Sequence, residues 1–152
     1  MELQPSISLK KLNTFGIDVT GNVAIINKID DIGRIADATG QGAALILGGG
    51  SNLLFTKNPE GWIWKNELHG LEMADESDEF VWLKAGAGEN WHQFVLHCIE
   101  KNWGGIENLS LIPGLVGASP MQNIGAYGVE IKDVFHSLEA IDLKSGALRT
   151  FN

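Results

Sequence analysis

The segment from Ile106 to Val129 constrains the fold of this chain more than any other stretch. It carries one charged residue, Glu107, and its glycines and prolines recur at Pro113, Gly114, Gly117, Pro120, Gly125 and Gly128. Glycine at this density is unfavourable inside a helix, and the apolar residues do not alternate as they would in a strand. We therefore expect irregular backbone that closely approaches other backbone or a ligand, and we favour a ligand.

Composition and charge limit the classes of protein to which the chain can belong. Its 152 residues are 44% apolar, which indicates one folded domain or one lobe of a larger protein. Lys and Arg total 11 against 19 Asp and Glu, and this acidic balance argues against a nucleic-acid partner. We see no leader sequence, no apolar run that could span a membrane and no evident protein partner, so we expect a cytoplasmic protein.

The first half of the chain predicts a strand, a helix and a second strand. The strands are Asn22–Asn27 and Ala43–Leu47, and the helix is Lys28–Thr39 with Asp30 or Asp31 as its cap. We expect the two strands to pair in parallel through a right-handed crossover.

A loop of three glycines follows the second predicted strand, and it consists of Gly48, Gly49, Gly50, Ser51 and Asn52. Without side chains, several N–H groups can point into one concavity, and such amide nests bind phosphates. The carboxyl end of a strand is also where open α/β sheets bind ligands. The alternative is a plain flexible turn. Neither a Walker loop nor the G-x-G-x-x-G dinucleotide motif fits these residues.

The second half predicts more strands and one strongly periodic helix. The strands are Trp62–Trp64, Leu68–Met73, Phe80–Ala85, Ser137–Leu143 and Leu148–Phe151, with an acidic turn over Ala74–Glu79. The helix spans Glu89–Lys101, and its buried stripe is Trp91, Phe94, Val95, Cys98 and Ile99. Cys98 is therefore expected in the core.

The histidines do not indicate a metal site. His92 and His97 are five residues apart, which is the wrong spacing for two ligands on one helix face, and His69 and His136 lie elsewhere. We expect no bound metal.

Five motifs in register resemble a known enzyme family. They are Asn13–Gly16, Leu45–Asn52, Gly86–Trp91, Leu111–Gly114 and Pro120–Gly128. In this order they resemble the amino-terminal part of the UDP-N-acetylenolpyruvoylglucosamine reductase (UDP-N-acetylmuramate dehydrogenase) family. The resemblance runs from about Leu9 to the end of the chain.

This resemblance implies an α+β fold of the FAD-binding PCMH (vanillyl-alcohol-oxidase) type, in which two α+β subdomains clasp a non-covalent FAD. Residues 1–16 would be an amino-terminal arm, 17–66 the first βαβ subdomain, and 67–152 a second, more antiparallel and truncated subdomain. The family takes hydride from NADPH onto FAD and reduces the enolpyruvyl ether of a UDP-sugar in peptidoglycan precursor synthesis. The protein supplies placement and hydrogen bonds for that cofactor.

The resemblance also implies which residues contact FAD. The pyrophosphate would lie on Gly48–Asn52 with Leu53 adjacent. The rest of the cofactor would contact Pro113, Gly114, Gly117, Ser119, Gln122, Asn123, Gly125, Ala126 and Tyr127. Tyr127 has an alternative interpretation as a core aromatic residue.

The catalytic residues of the family do not map onto this chain. Its arginine, serine and glutamate come from later sequence, beyond Asn152, and Arg34 and Arg149 do not lie in the matching motif. We assign no catalytic residue, and we expect a truncated chain that has no reductase activity alone. Two alternatives remain, an inert fragment or binding module, and another flavin-dependent oxidase. Against the oxidase, Gly48–Phe55 holds no histidine or cysteine for a covalent flavin tether.

Overall fold

The computed structural model describes residues 2–40 and 45–152, which form an α+β fold and confirm the predicted class. The strands are β1 (Glu2–Ser8), β2 (Thr20–Ile26), β3 (Leu45–Leu47), β4 (Trp62–Asn66), β5 (Leu71–Glu76), β6 (Val81–Ala85), β7 (Gly125–Ala126), β8 (Val129–Glu130), β9 (Leu138–Ile141) and β10 (Leu148–Phe151). The helices are α1 (Asp31–Ala38) and α2 (Trp91–Glu100). Neither helix among these residues has the length and apolar character needed to cross a membrane.

The main sheet has the strand order β1-β2-β4-β3, and β4 runs parallel to both β2 and β3. The prediction that β2 and β3 pair directly is therefore wrong. The two strands do run parallel to each other, because each pairs in parallel with β4. Ile63 and Trp64 on β4 are 0% and 1% exposed and point to opposite faces. A strand that is buried on both faces belongs in the centre of a sheet, which explains why β4 separates the other two.

The residues predicted to form an amino-terminal arm contribute an edge strand. β1 pairs antiparallel with β2, with an irregularity in the pairing between Gln4 and Ile7. Pro5 lies in that irregularity, where the missing N–H of proline is tolerated. Because of the proline and the irregular pairing, residues 2–8 lack the strict alternation of apolar and polar residues that predicts a strand.

Helix α1 packs on the main sheet through Ile35, which is fully buried in a cluster with Ala24 and Trp64. Asp30 occupies the predicted cap position, but its side chain makes no capping hydrogen bond. Ile29 lies within the predicted helix Lys28–Thr39, but it precedes α1 and is 55% exposed. The first two residues of the predicted second strand, 43 and 44, lie outside the described residues.

Helix α2 confirms the predicted periodic helix. The side chain of Asn90 accepts a hydrogen bond from the backbone N–H of Gln93, which caps the first turn. Trp91, Val95 and Cys98 are buried as expected, and burial raises the pKa of the Cys98 thiol. Ile99, by contrast, is 45% exposed, so the buried face is narrower than the stripe predicted.

Three antiparallel hairpins follow the main sheet in the described part of the chain, and they pair β5 with β6, β7 with β8 and β9 with β10. The prediction of an acidic turn over Ala74–Glu79 is partly wrong, because β5 continues through Glu76 and the turn lies at Ser77–Phe80. Every residue of β5 is exposed, so its carboxylates remain solvated within the strand. The last two predicted strands are confirmed as β9 and β10, and they pair as an antiparallel hairpin.

A chain of ionisable side chains joins the main sheet to the segment before α2. Lys65 Nζ lies 2.6 Å from Glu67, and His69 lies between Glu67 at 2.9 Å and Glu89 at 3.4 Å. Burial opposes ionisation of Glu67, but the hydrogen bonds from Lys65 and His69 outweigh it and lower the pKa of that carboxyl group. Glu89 also accepts the N–H of Gly70 at 2.7 Å, which ties the two parts of the chain together.

Candidate cofactor-binding site

The triple-glycine loop lies directly after β3 and packs on the amino-terminal part of the chain. Gly50 has φ +68°, and a Cβ there would lie 2.1 Å from the carbonyl oxygen of Leu12. The N–H of Thr14 also donates to the oxygen of Gly50 at 3.1 Å. The third glycine is therefore required by contact within the chain itself, whatever ligand the loop binds.

Asn13 explains why the Asn13–Gly16 motif accompanies this loop. Its Nδ2 donates to the carbonyl oxygens of Leu9 and Ile17 at 2.8 and 3.0 Å, and its Oδ1 accepts the N–H of Ile17 at 3.0 Å. The residue is only 6% exposed. A buried amide with all these partners holds the turn rigidly, and the turn supports Gly50.

The structure brings the loop together with the segment Ile106–Val129. A Cβ on Gly49 would lie 3.3 Å from the Cα of Gly114, and a Cβ on Gly114 would lie 3.4 Å from Ser51 Oγ. A Cβ on Gly48 would contact the side chain of Leu115 at 3.6 Å. Two segments more than 60 residues apart, both predicted to bind the cofactor, thus meet backbone to backbone. Leu115 was not predicted, because no local pattern indicates a contact over this distance.

The amino-terminal end of α2 holds the second segment in place. Trp91 donates from its backbone N–H to the oxygen of Gly114 at 3.1 Å and from Nε1 to the buried oxygen of Leu109 at 2.7 Å. Gly117 donates to the oxygen of Ala87 at 3.0 Å, and a Cβ on Gly117 would lie 2.6 Å from Ala87 Cβ. Gly117 therefore serves close packing against the Gly86–Gly88 loop.

Several predicted contact residues surround a cavity too small for a cofactor. Pro113, Ser119 and Gln122 line a space of about 10 Å³ beside Trp91. This volume is on the order of what one water molecule requires. Ser119 is buried, and its Oγ donates to the oxygen of Val116 at 2.7 Å. The Ser119 hydroxyl is thus already engaged within the chain.

A larger open hollow of about 400 Å³ lies at the hairpin of β7 and β8. Asn123, Gly125 and Ala126 line it together with Glu130. Its volume falls within the range of about 300–1,000 Å³ that is usual for small-molecule sites. These three are predicted contact residues that line an open hollow on the surface.

Tyr127 lies at the tip of this hairpin and is 89% exposed. Tyr127 and Gly128 form the two-residue turn, with φ +54° and +82°, as a type I′ turn requires. The interpretation of Tyr127 as a core aromatic residue is therefore wrong. Asn52 is likewise exposed, whereas Leu53 packs against the core cluster that includes Phe55.

Exposed apolar side chains and left-handed backbone coincide in this segment. Leu111, Met121 and Tyr127 are 76%, 90% and 89% exposed. Leu111, Asn123 and Tyr127 have φ of +64°, +43° and +54°. Unfavourable backbone conformations cluster at binding sites, and exposed apolar groups mark surfaces that bind something. Both observations indicate a ligand surface here.

The described residues contain no group of three or more His, Cys, Asp or Glu side chains arranged to hold a metal ion. The candidate site is accordingly made of backbone amides, small residues and a few apolar side chains. Such a surface can position a dinucleotide, and Glu130 is the carboxylate that lines its larger hollow.

Comparison with known proteins identifies the class of this site. Residues 22–152 match the family model described as FAD binding domain, and the chain belongs to that family. FAD is therefore the cofactor that this class of domain binds.

The relatives narrow the class to one kind of protein. The UDP-N-acetylenolpyruvoylglucosamine reductase of Amoebophilus asiaticus is 47% identical over 155 residues, which cover 100% of this chain and 46% of that protein. The protein of the same name from Flavobacterium johnsoniae is 46% identical over 152 residues, 99% of this chain and 45% of that protein. The resemblance predicted from the five motifs is confirmed. The chain spans slightly less than half the length of these relatives.

A solved structure supports the fold independently. The crystal structure of UDP-N-acetylenolpyruvylglucosamine reductase (MurB) from Thermus caldophilus matches with a TM-score of 0.77 and 23% identity. The match covers 99% of this chain and 52% of that one. The predicted FAD-binding fold of the PCMH type is confirmed.

Proposed function

We propose that this chain is the FAD-binding portion of a UDP-N-acetylmuramate dehydrogenase. The observation that carries the proposal is the contact between the Gly48–Ser51 loop and Gly114, which unites two distant glycine-rich segments on one surface. The name and the identity of the relatives support the same assignment.

The residues present fit a dinucleotide. The amides of Gly48–Asn52 would hold the pyrophosphate, because a loop at the carboxyl end of a strand offers N–H donors where the acidic chain offers few cations. The Asn123–Tyr127 segment would contact the flavin end, where the hollow of about 400 Å³ lies. Residues 17–66 and 67–152 would be the two FAD-binding subdomains.

As part of the same proposal, we assign to the whole protein the reductase activity for which its relatives are named. Bound FAD would supply hydride transfer from NADPH to the enolpyruvyl group of a UDP-sugar, a reaction of peptidoglycan precursor synthesis in the cytoplasm. The residues described here bind and orient the cofactor. We assign no catalytic residue of the reduction to them.

Adding FAD to the purified chain tests this proposal. We expect a yellow protein whose flavin absorbance remains after gel filtration and is released on denaturation, because the cofactor is held without a covalent bond. We expect no NADPH oxidation by this chain alone. A protein that stays colourless after FAD titration would instead support an inert fragment, and NADPH oxidation would show that catalytic groups lie within residues 1–152.

A further inference from the structure

His92 contacts the cofactor-binding segment in a way that its position on α2 alone does not predict. It is the second residue of α2, partly buried, and its Nδ1 lies 3.0 Å from Ser110 Oγ and 3.3 Å from the N–H of Leu111. A backbone N–H can only donate, so Nδ1 must accept, and the proton of the neutral ring lies on Nε2. The ring is thus fixed in one tautomer by the chain that it contacts.

The residue on the other side of this bond has an unfavourable backbone. Leu111 has φ +64°, a region that leucine rarely adopts, and its side chain is 76% exposed. Burial of the side chain therefore does not stabilise this conformation. The N–H of Leu111 donates to His92 Nδ1 at 3.3 Å, and this hydrogen bond can support the left-handed turn.

The turn at Leu111 determines where the next residues lie. Trp91, adjacent to His92, bonds to Leu109 on one side of the turn and to Gly114 on the other. Gly114 then abuts Gly49 of the glycine loop. Trp91 and His92, two consecutive residues of α2, therefore hold this segment together. Trp91 bonds to its two ends, Leu109 and Gly114, and His92 bonds to Leu111 between them.

We propose that His92 is a positioning residue for FAD: its neutral imidazole holds the left-handed turn at Leu111 and so places Gly114 against the glycine loop. This inference rests on the proposed cofactor-binding function and deepens it. It assigns a role to a helix residue that contacts the candidate surface through the backbone of Leu111.

Substitutions at both ends of the hydrogen bond test the proposal. His92→Ala removes the acceptor, and we expect FAD to bind roughly tenfold more weakly, since the left-handed turn loses its support. His92→Asn places Oδ1 where Nδ1 stands, so we expect most of the affinity to return. Leu111→Gly in the His92→Ala protein should also restore binding, because glycine adopts positive φ without a penalty. Gln93→Ala, an exposed neighbour on the same helix, is the matched control and should bind as the unaltered chain does.

Hydrogen exchange of the Leu111 amide in the FAD-free chain tests the role of His92 independently of whether the chain binds FAD. We expect faster exchange in His92→Ala than in the unaltered chain and in His92→Asn. If the unaltered chain binds no FAD, the proposed function fails, and the exchange rates still report whether His92 holds the turn. Unchanged FAD affinity and unchanged exchange in His92→Ala would overturn the inference. A loss of affinity that neither His92→Asn nor Leu111→Gly reduces would overturn it as well.

Discussion

Replacing Gly50 with alanine is expected to destabilise the chain and to abolish its binding of FAD. The new Cβ would lie 2.1 Å from the carbonyl oxygen of Leu12 and 3.0 Å from the Cα of Asn13, which are backbone atoms that cannot rotate away. The left-handed conformation costs roughly 1–2 kcal/mol and overpacking roughly 1–3 kcal/mol. A combined loss of about 2–5 kcal/mol is a large part of the stability of an ordinary domain.

Gly146→Ala is the control that separates the effect of the close contact with Leu12 from the effect of the left-handed backbone conformation. Gly146 has φ +70°, close to the +68° of Gly50, but no atom lies within 4 Å of its missing Cβ. We expect this variant to lose only the conformational part, about 1–2 kcal/mol, and to bind FAD normally. Denaturant unfolding and FAD titration of both variants provide the comparison. Equal stability losses in the two would show that the approach to Leu12 is unimportant.

Replacing Gly49 with valine is expected to weaken FAD binding far more than it weakens the fold. Gly49 is exposed and has no positive φ, so the residue itself can accept a branched side chain. Its Cβ would, however, lie 3.3 Å from the Cα of Gly114. Valine would push the two cofactor-binding segments apart and cover the amides of the loop. We expect affinity to fall about a hundredfold or more, which corresponds to about 2.7 kcal/mol.

The matched control for Gly49→Val is Gly104→Val. Gly104 is also exposed, has no positive φ, and its missing Cβ faces only the carboxylate of Glu107, at 3.9 Å. Titration of both variants with FAD measures the loss of affinity, and thermal unfolding measures the loss of stability. Unchanged FAD affinity in Gly49→Val would reject the assignment of the pyrophosphate to Gly48–Asn52.

Local features of this fold could be predicted, because they depend on neighbouring residues. Helix α2 follows from the spacing of Trp91, Val95 and Cys98, which repeats with the helical period. The position of the glycine loop after β3 follows from an apolar run that ends at Leu47. The prediction that Ile106–Val129 is irregular follows from its glycines and prolines, but it is wrong at the end of the segment, where β7 pairs with β8.

Features that depend on distant contacts could not be predicted. The insertion of β4 between β2 and β3 is decided by burial of Ile63 and Trp64 on both faces, which no local window reveals. Glycine-rich sequence also does not distinguish contact with a ligand from contact with backbone. Gly50 and Gly117 lack space for a Cβ because of Leu12 and Ala87, so the chain itself requires glycine at both positions.

The role of His92 could not be predicted from the sequence either, because it also depends on a distant contact. Its distance in sequence from His97 excluded a metal pair and gave no reason to connect it with Leu111, 19 residues away. The contact arises because α2 and the following segment pack together through Trp91 and Leu109. Functional positions of this kind become visible only when the hydrogen-bond partners are known.

Hydrogen exchange of the backbone amides, with and without FAD, tests the central claim most directly. The two glycine-rich segments are proposed to form one cofactor surface, so FAD should slow exchange in residues 48–53 and in residues 113–127 together. The hairpin of β9 and β10 lies outside that surface and should exchange at the same rate in both states. Slower exchange confined to one segment, or no change in either, would contradict the account.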